Sequence, residues 1–247
     1  MPRFDHDGVE IAYLDEGEGE PIVLIHGFAS NAAVNWVNPG WFTALEGRRV
    51  IALDNRGHGA STKLYDPAAY HSAIMASDVV ALLDHLALGR ADIMGYSLGA
   101  RITAFLALQN PQRVRGVIFG GLGIHMIDGG LPEGVAEALE APSADAVADP
   151  KARLFRVFAE QTKSDLRALA ACLRGSRQTL TSAQIGAVSM PALVAVGSLD
   201  AIGGSASELA ALLPAGAALE VPGRDHMTAV GDKVFKRGVL AFLAALR

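Results

Sequence analysis

The stretch ADIMGYSLGARITAFLAL, residues 91–108, joins a short apolar run to a longer segment that is apolar almost all round. Residues 91–95 have the length and character of a buried strand, and residues 98–108 those of a buried helix. Between them, Ser97 stands at the centre of a G-x-S-x-G pentapeptide. A very tight strand-to-helix turn requires glycine two positions before and after its centre, because side chains there would collide. The sequence therefore predicts that Ser97 lies on a strained turn, with its hydroxyl clear of the sheet.

The predicted position of this hydroxyl favours a catalytic role. It lies at the N-terminus of the predicted helix, where free N–H groups and the helix dipole stabilise developing negative charge. A glycine-rich turn with a capping serine would give a similar pentapeptide. The strand before it and the helix after it favour the first interpretation, so Ser97 is the candidate nucleophile.

Strand-like and helix-like segments alternate along the rest of the chain. Runs that are apolar on both faces are typical of parallel strands in a sheet covered on both sides. The other strand candidates are residues 9–14, expected at an edge of the sheet, and 21–25, 49–54, 114–119, 192–196 and 218–221. The other helix candidates are residues 74–88, 207–213 and 233–246. This alternation predicts an α/β fold with a doubly wound, mostly parallel sheet.

One long segment, residues 124–188, contains no strand candidate. It includes helical runs at 135–139 and 152–174, the second of which is expected to end at Gly175. Such a segment is too small to have a core of its own in most cases. We therefore expect a core domain made of residues 1–123 and 189–247, with 124–188 as a helical cap, or lid, on the sheet. The alternative is a pair of ordinary crossover helices.

Composition limits the classes of partner. Lysine and arginine total 21, aspartate and glutamate total 26, and no basic stripe is present, so nucleic acid is not an expected partner. No run approaches the roughly 18 apolar residues that a membrane span needs. The seven histidines show no metal-ligand spacing with cysteine or acidic residues, so we expect no metal and no cofactor. A small-molecule substrate is the expected partner.

The chain has one cysteine, Cys172, within an apolar helical pattern. We expect it to be a buried core residue rather than a reactive thiol. A single cysteine cannot form an internal disulfide, which fits a reducing, cytoplasmic compartment. The N-terminal residues contain no apolar run of the kind found in signal peptides.

Four motifs together are typical of one superfamily. His26-Gly27 follows an early strand, DNRGHGAS follows the next at residues 54–61, the pentapeptide surrounds Ser97, and an aspartate and a histidine follow late strands. With these motifs the chain resembles the α/β-hydrolase fold superfamily, in particular serine esterase-like members with a small helical cap. The resemblance covers nearly the whole chain outside residues 124–188.

The resemblance implies the chain order nucleophile, acid, histidine. Asp200, just past the strand candidate 192–196, is the expected acid, and His226, after the last strand candidate, is the expected base. Asp128 is a competing acid, since some members place the acid after the strand before the insertion. Asp225 is unsuited to orient the ring of its own neighbour, and we interpret it as structural or solvent-facing.

The expected activity follows from these roles. The resemblance implies that the backbone N–H groups of Phe28 and Leu98 form the oxyanion hole. It also implies hydrolysis of small carboxylic esters through an acyl-enzyme. Lactones, thioesters, amides, carbon–carbon bonds of diketone-like compounds and perhydrolysis remain open as alternatives. Members without enzymatic activity act as receptors or scaffolds, but their triad is broken. A serine at position 97 argues against the dehalogenase and epoxide hydrolase branches, which need aspartate there.

Other side chains carry weaker signals. Three residues of the early motifs are expected to brace the site rather than react: His26, Arg56 and His58. Trp36 and Trp41 are candidates to line the substrate entrance, and His125 and Met126, which open the 124–188 insertion, are candidates to face the substrate. For the two tryptophans, packing in the core is an equally good interpretation.

Overall fold

A mostly parallel sheet forms the centre of the computed structural model, which describes residues 1–129 and 133–246. Within those residues the sheet has eight strands, in the spatial order β1-β2-β4-β3-β5-β6-β7-β8. The strands are β1 Arg3–His6, β2 Val9–Glu16, β3 Pro21–Ile25, β4 Arg49–Leu53, β5 Ala91–Tyr96, β6 Val114–Gly120, β7 Ala192–Gly197 and β8 Gly216–Val221. Strands β3 to β8 pair in parallel, whereas β1 and β2 are antiparallel to their neighbours.

Helices cover both faces of this sheet. They are α1 Trp41–Ala44, α2 Ser72–His85, α3 Leu98–Gln109, α4 His125–Asp128, α5 Val135–Glu140, α6 Pro150–Gln161, α7 Leu166–Gly175, α8 Ser182–Gly186, α9 Ala206–Leu212 and α10 Lys233–Ala245. Successive strand residues point to opposite faces, so Val23 and Ile25 pack with α2 and α3 while Leu24 packs with α10. The predicted α/β fold with a doubly wound, mostly parallel sheet is confirmed.

The predicted edge position of residues 9–14 is wrong. Strand β2, which contains them, pairs with β1 on one side and β4 on the other, so β1 is the edge strand. The sequence RFDH of β1 has only one fully buried residue, Phe4, and is too short to give a periodic signal.

The predicted continuous helix over 152–174 is also wrong, because the structure has two helices, α6 and α7. Lys163 has a positive φ of 54°. The Asp165 side chain then accepts hydrogen bonds from the amides of Arg167 and Ala168, at 3.0 Å each. An aspartate in this position starts a new helix, because it satisfies amides that lack partners in the first turn.

The described part of residues 124–188 is helical and contains no strand. It packs over loops at the carboxyl end of the sheet: the hydroxyl of Thr162 donates to the carbonyl of Ala29 at 2.9 Å, and the amide of Ser72 donates to the Gln178 side chain at 3.0 Å. Residues 130–132 of the predicted cap, and residue 247 of the predicted core domain, lie outside the described residues. Whether 124–188 acts as a separate cap stays a prediction.

Across residues 1–129 and 133–246, the helices are all too short or too polar to cross a lipid bilayer.

Candidate active site

The turn between β5 and α3 holds Ser97 in a strained backbone conformation, with φ 54° and ψ −111°. A positive φ is uncommon for a residue with a Cβ atom and persists only where the surroundings enforce it. A Cβ atom added to Gly95 would collide with the carbonyl of Gly99, and one added to Gly99 would collide with the carbonyl of Ile25. The amide of Ser97 donates to the carbonyl of Gly120 at 2.8 Å, which fixes the turn against β6.

The structure brings Ser97, His226 and Asp200 together in a hydrogen-bonded row. The Nε2 atom of His226 lies 2.9 Å from the Ser97 hydroxyl, and its Nδ1 atom lies 2.8 Å from Oδ2 of Asp200. The Asp200 side chain is buried after β7, and His226 is buried on the loop after β8. The carboxyl ends of β5, β7 and β8 lie on one edge of the sheet, so residues far apart in sequence converge there.

The second oxygen of Asp200 fixes the carboxylate. Its Oδ1 accepts hydrogen bonds from the amides of Ile202 at 2.9 Å and Gly203 at 2.8 Å. This leaves Oδ2 directed at Nδ1 of His226 as an acceptor for Nδ1–H, an arrangement in which Nε2 is the acceptor of a neutral ring.

Neither alternative carboxylate contacts the His226 ring. Asp128, the competing acid, is exposed at the end of α4. Asp225 is exposed and turned towards the chain that follows it: its Oδ1 accepts from the Thr228 hydroxyl at 2.6 Å and from the amides of Met227 and Thr228. The hydrogen bond from the Thr228 hydroxyl is the main cause that lowers the pKa of Asp225 below its usual value.

Two backbone N–H groups near Ser97 are free to donate. Among the described residues, the amides of Phe28 and Leu98 have no hydrogen-bond acceptor. Phe28 and Ser97 line the same cavity, and Leu98 is the first residue of α3, where amides lack partners within the helix.

His26 holds the loop that carries Phe28. Its Nδ1 donates to the carbonyl of Gly27 at 2.7 Å, and its Nε2 accepts from the amide of Asn55 at 2.9 Å. Burial lowers the pKa of His26 to about 4. The ring is therefore neutral near pH 7 and bonded to backbone on both sides, in a bracing position.

Arg56 and His58 also lie away from the Ser97 hydroxyl. The Arg56 guanidinium forms a buried ion pair with Asp78, at 2.7 Å from Nε and 2.6 Å from Nη2. His58 donates from Nδ1 to the carbonyl of Arg56 at 3.0 Å. The pair with Asp78 ties Arg56 to α2, and the hydrogen bond of His58 holds residues 56–58 together.

For Trp36 and Trp41 the structure bears out the alternative of packing in the core, and Met126 does not face the cavity at Ser97. All three are fully buried, and Trp41 packs edge-on against Phe235 of α10, with ring centroids 5.6 Å apart. His125 lies 2.9 Å, through Nδ1, from the carbonyl of Ile202 and does not line the cavity at Ser97.

A cavity of about 110 Å³ opens beside the Ser97 hydroxyl and His226. Its walls include Phe28 from the core, and Phe155 and Phe158 from α6. Both α6 rings also border a larger apolar groove of about 480 Å³, which continues outwards past the loops of Asp200 and His226. Within residues 1–129 and 133–246, no group of three or more histidine, cysteine or acidic side chains could hold a metal ion.

Comparison with known proteins identifies the family. A family model described as alpha/beta hydrolase fold matches residues 20–127. A solved structure, a hydrolase from Pseudomonas aeruginosa, superposes with a TM-score of 0.78 at 28% identity, covering 98% of this chain and 97% of that one. The chain belongs to the α/β-hydrolase fold superfamily.

Curated α/β-hydrolase relatives match over shorter segments. A 2-hydroxymuconate semialdehyde hydrolase of Pseudomonas putida is 36% identical over 111 residues, which are 44% of this chain and 39% of that protein. A 2-(acetamidomethylene)succinate hydrolase of Mesorhizobium japonicum is 34% identical over 116 residues, 47% of this chain and 40% of that protein. The chain thus spans well under half the length of these two relatives.

Two further residues of this candidate site, Tyr96 and Asn35, were not predicted from the sequence. The Tyr96 hydroxyl donates to the carbonyl of His226 at 2.6 Å and fixes the loop that carries the imidazole. Burial raises the pKa of Tyr96 well above its usual value, so the phenol remains a donor. The Asn35 side chain accepts from the amide of Gly27 at 3.0 Å and lines the cavity. Tyr96 occupies the variable position before the serine, so the pentapeptide gives no signal for it.

Proposed function

We propose that this chain is a serine hydrolase that cleaves small carboxylic ester-like substrates through an acyl-enzyme on Ser97. The observation that carries the proposal is the row of two hydrogen bonds, 2.9 Å from Ser97 to His226 and 2.8 Å from His226 to Asp200. A neutral imidazole between a hydroxyl and a buried carboxylate is the arrangement that activates a serine.

The first half-reaction forms the acyl-enzyme. The Ser97 oxygen attacks the substrate carbonyl carbon while Nε2 of His226 takes the hydroxyl proton. Asp200 keeps the imidazole oriented and stabilises its positive charge. The carbonyl oxygen becomes an oxyanion, which the N–H groups of Phe28 and Leu98 stabilise. The C–O bond to the alcohol then breaks, and His226 returns its proton to the leaving oxygen.

The second half-reaction releases the acid. A water molecule attacks the Ser97 ester and gives its proton to Nε2 of His226. The second tetrahedral intermediate uses the same two N–H donors. It collapses to the free carboxylic acid and restores the Ser97 hydroxyl with the proton held by His226.

The substrate pocket supports small substrates with an apolar portion. The cavity beside Ser97 is about 110 Å³, and aromatic rings form much of its wall. We propose that residues 124–188 act as a cap over this pocket, since Phe155 and Phe158 come from α6. The apolar groove beyond them has exposed side chains, with Leu154 at 70% and Met227 at 53% exposure, and it would accept the distal end of a longer substrate.

A second candidate rests on the relative from Pseudomonas putida, which is named for a semialdehyde rather than an ester. The same Ser97 attack on a ketone-like carbonyl would break a carbon–carbon bond, provided that the leaving carbon is stabilised as an anion. Parallel assays with simple esters and with a vinylogous diketone separate the two candidates.

A fluorophosphonate probe tests the nucleophile directly. Wild-type protein should be labelled at Ser97 and should hydrolyse p-nitrophenyl acetate, and Ser97→Ala should do neither. Ser207→Ala is the matched control, because Ser207 is exposed on α9 and outside the cavity. Labelling or hydrolysis that survives in Ser97→Ala would refute the proposal.

A further inference from the structure

Arg101 stands one helical turn after Ser97 on α3. The backbone amide of Arg101 donates to the carbonyl of Ser97 at 3.2 Å. Residues four apart on a helix lie on the same face, so the arginine side chain extends along the side of the helix where the serine lies. Both residues border one small cavity, which His226 does not line.

The Arg101 guanidinium is held by uncharged partners. Its Nη1 donates to the carbonyls of Met126 at 3.1 Å and Gln178 at 2.7 Å, and its Nη2 donates to the carbonyl of His125 at 3.3 Å. A guanidinium has five N–H donors. The Nε–H and the second hydrogen of Nη2 therefore have no acceptor among the described residues.

Among the described residues, the three buried arginines each have a carboxylate partner, whereas Arg101 is partly buried. Arg56 pairs with Asp78, Arg48 with Asp92, and Arg156 with Glu160. Within the described residues, Arg101 forms no ion pair with any aspartate or glutamate. Burial lowers its pKa to about 10, and no acidic neighbour opposes that shift.

A partly buried guanidinium whose partners are all uncharged carries a desolvation cost, and an anionic ligand would offset that cost.

The small cavity has the size and chemistry of an anion subsite. Its volume is about 30 Å³, and a single water needs roughly 10–15 Å³ measured in this way, so a carboxylate group fits. Its polar lining consists of Arg101, Ser97 and Ser176. The Ser176 hydroxyl makes a long contact with the thiol of Cys172, at 4.0 Å. Apolar side chains form the rest of the wall: Phe28, Leu98, Leu122, Leu173 and Ile202.

We propose that this cavity binds a carboxylate carried by the substrate itself, through Arg101 with help from the Ser176 hydroxyl. The proposal rests on the proposed function, because it assigns the charged end of the molecule whose carbonyl Ser97 attacks. The substrate class is a half-ester of a short dicarboxylic acid. The free carboxylate lies on the α7 side of Ser97, and the remainder occupies the apolar cavity beside His226.

A pair of isosteric esters tests the subsite. Monoethyl succinate carries the carboxylate, and ethyl succinamate replaces it with a neutral amide of the same shape. At fixed ionic strength, wild type should hydrolyse the acid with a kcat/KM about 10- to 100-fold above the amide, the range expected for a charge-assisted hydrogen bond. Arg101→Met should reduce that ratio to about 1, Arg101→Lys should keep part of it, and Ser176→Ala should lower it by a smaller factor.

The ratio within one variant removes the effect of partial unfolding, since Arg101→Met also releases three backbone carbonyls. Arg113→Met is the matched control: Arg113 also donates to backbone carbonyls, those of Gly89 and Leu88, but lies outside the small cavity. Its ratio should equal that of wild type. Equal kcat/KM values for the two esters in wild type, or a ratio unchanged in Arg101→Met, would overturn the subsite.

Binding without turnover separates this inference from the proposed function. Calorimetry should detect monoethyl succinate binding to Ser97→Ala and a loss of binding in Ser97→Ala/Arg101→Met. Arg101-dependent binding, with no hydrolysis of either ester by wild type, would leave the subsite standing and refute the esterase. Hydrolysis of both esters at equal rates, with no Arg101-dependent binding, would refute the subsite and leave the esterase standing.

Discussion

Replacing His58 with asparagine should reduce the acid dependence of this protein's stability, leaving the part due to buried His26. His58 is fully buried, donates from Nδ1 to the carbonyl of Arg56 at 3.0 Å, and has no partner for Nε2 among the described residues. Burial, together with the charge of the adjacent His26 ring when protonated, lowers the pKa of His58 to about 3. Asparagine retains an amide N–H for the Arg56 carbonyl and removes the group that titrates.

The direction of this pH effect follows from comparing the protonation of His58 in the folded and unfolded states. In the unfolded chain a histidine has a pKa of about 6.5, so as the pH falls the unfolded state takes up a proton before the folded state does. The stabilising contribution of neutral His58 is therefore complete above about pH 6.5 and is lost as the pH falls towards the folded value. Between pH 7 and pH 5 the loss is about 2 kcal/mol, from 1.36 kcal/mol per pH unit. That is a large share of a total stability of about 5–15 kcal/mol.

Urea unfolding at pH 7, 6 and 5 measures the effect, with fluorescence from the buried Trp36 and Trp41 as the signal. His58→Asn should lose about 2 kcal/mol less than wild type over this range. It should be somewhat less stable at pH 7, because the smaller side chain leaves a cavity. His71→Asn is the control: His71 is exposed and accepts from the amide of Ala73 at the start of α2, a role that asparagine fills well. A loss in His58→Asn as large as in wild type and in the control would refute the reasoning.

The remaining predictions concern the proposed active site. Asp200→Asn should lower kcat on p-nitrophenyl acetate by about 10³–10⁴-fold with an unchanged melting curve, because the imidazole would lose its oriented tautomer; near-normal turnover would remove Asp200 from the reaction. Tyr96→Phe should destabilise the fold by about 1–3 kcal/mol in urea unfolding, since the buried carbonyl of His226 loses its donor; unchanged stability would contradict this. Leu154→Asp should lower kcat/KM for p-nitrophenyl octanoate by about 3–10-fold and leave the acetate ester unaffected, because the groove loses apolar area. Leu240→Asp, on α10 outside the groove, should change neither rate, and equal octanoate losses in the two variants would argue against the groove.

Local rules were sufficient wherever one short stretch determines the geometry. The glycines around Ser97 are required by backbone contacts within the turn itself and with Ile25, so the pentapeptide predicts that turn without knowledge of the rest. Asp200 and His226 were predicted from the family resemblance, which implies an acid and then a histidine after late strands. In the structure these residues meet Ser97 because parallel strands of one sheet present their carboxyl ends at one edge.

The burial of individual side chains and the identity of their hydrogen-bond partners could not be predicted from short stretches of sequence. The sequence leaves two environments open for Trp41, and its position is decided by packing on Phe235, almost 200 residues away along the chain. The sequence gives Arg101 no special role, because it is one polar residue in an apolar helix. Its carbonyl partners come from segments near residues 126 and 178, which local patterns do not connect to it. The division between α6 and α7 depends on Asp165 capping a helix start, which a hydrophobic pattern does not record.

The groups proposed to react and the walls proposed to select substrate come from separate parts of the chain. Ser97, Asp200 and His226 are fixed by loops of the sheet, and each bonds to backbone or side chains of the core. Phe155 and Phe158 lie on α6 and contribute only apolar rings to the wall of the cavity. Substitutions on α6 can therefore reshape the pocket while the 2.9 Å contact between Ser97 and His226 persists.

Arg101 does not share this independence, because it lies on the same helix as the proposed nucleophile's turn and also binds carbonyls at the start of the 124–188 segment. A change at Arg101 should consequently alter both charge preference and the position of residues 124–188, whereas a change at Phe158 should alter only the size of the accepted substrate.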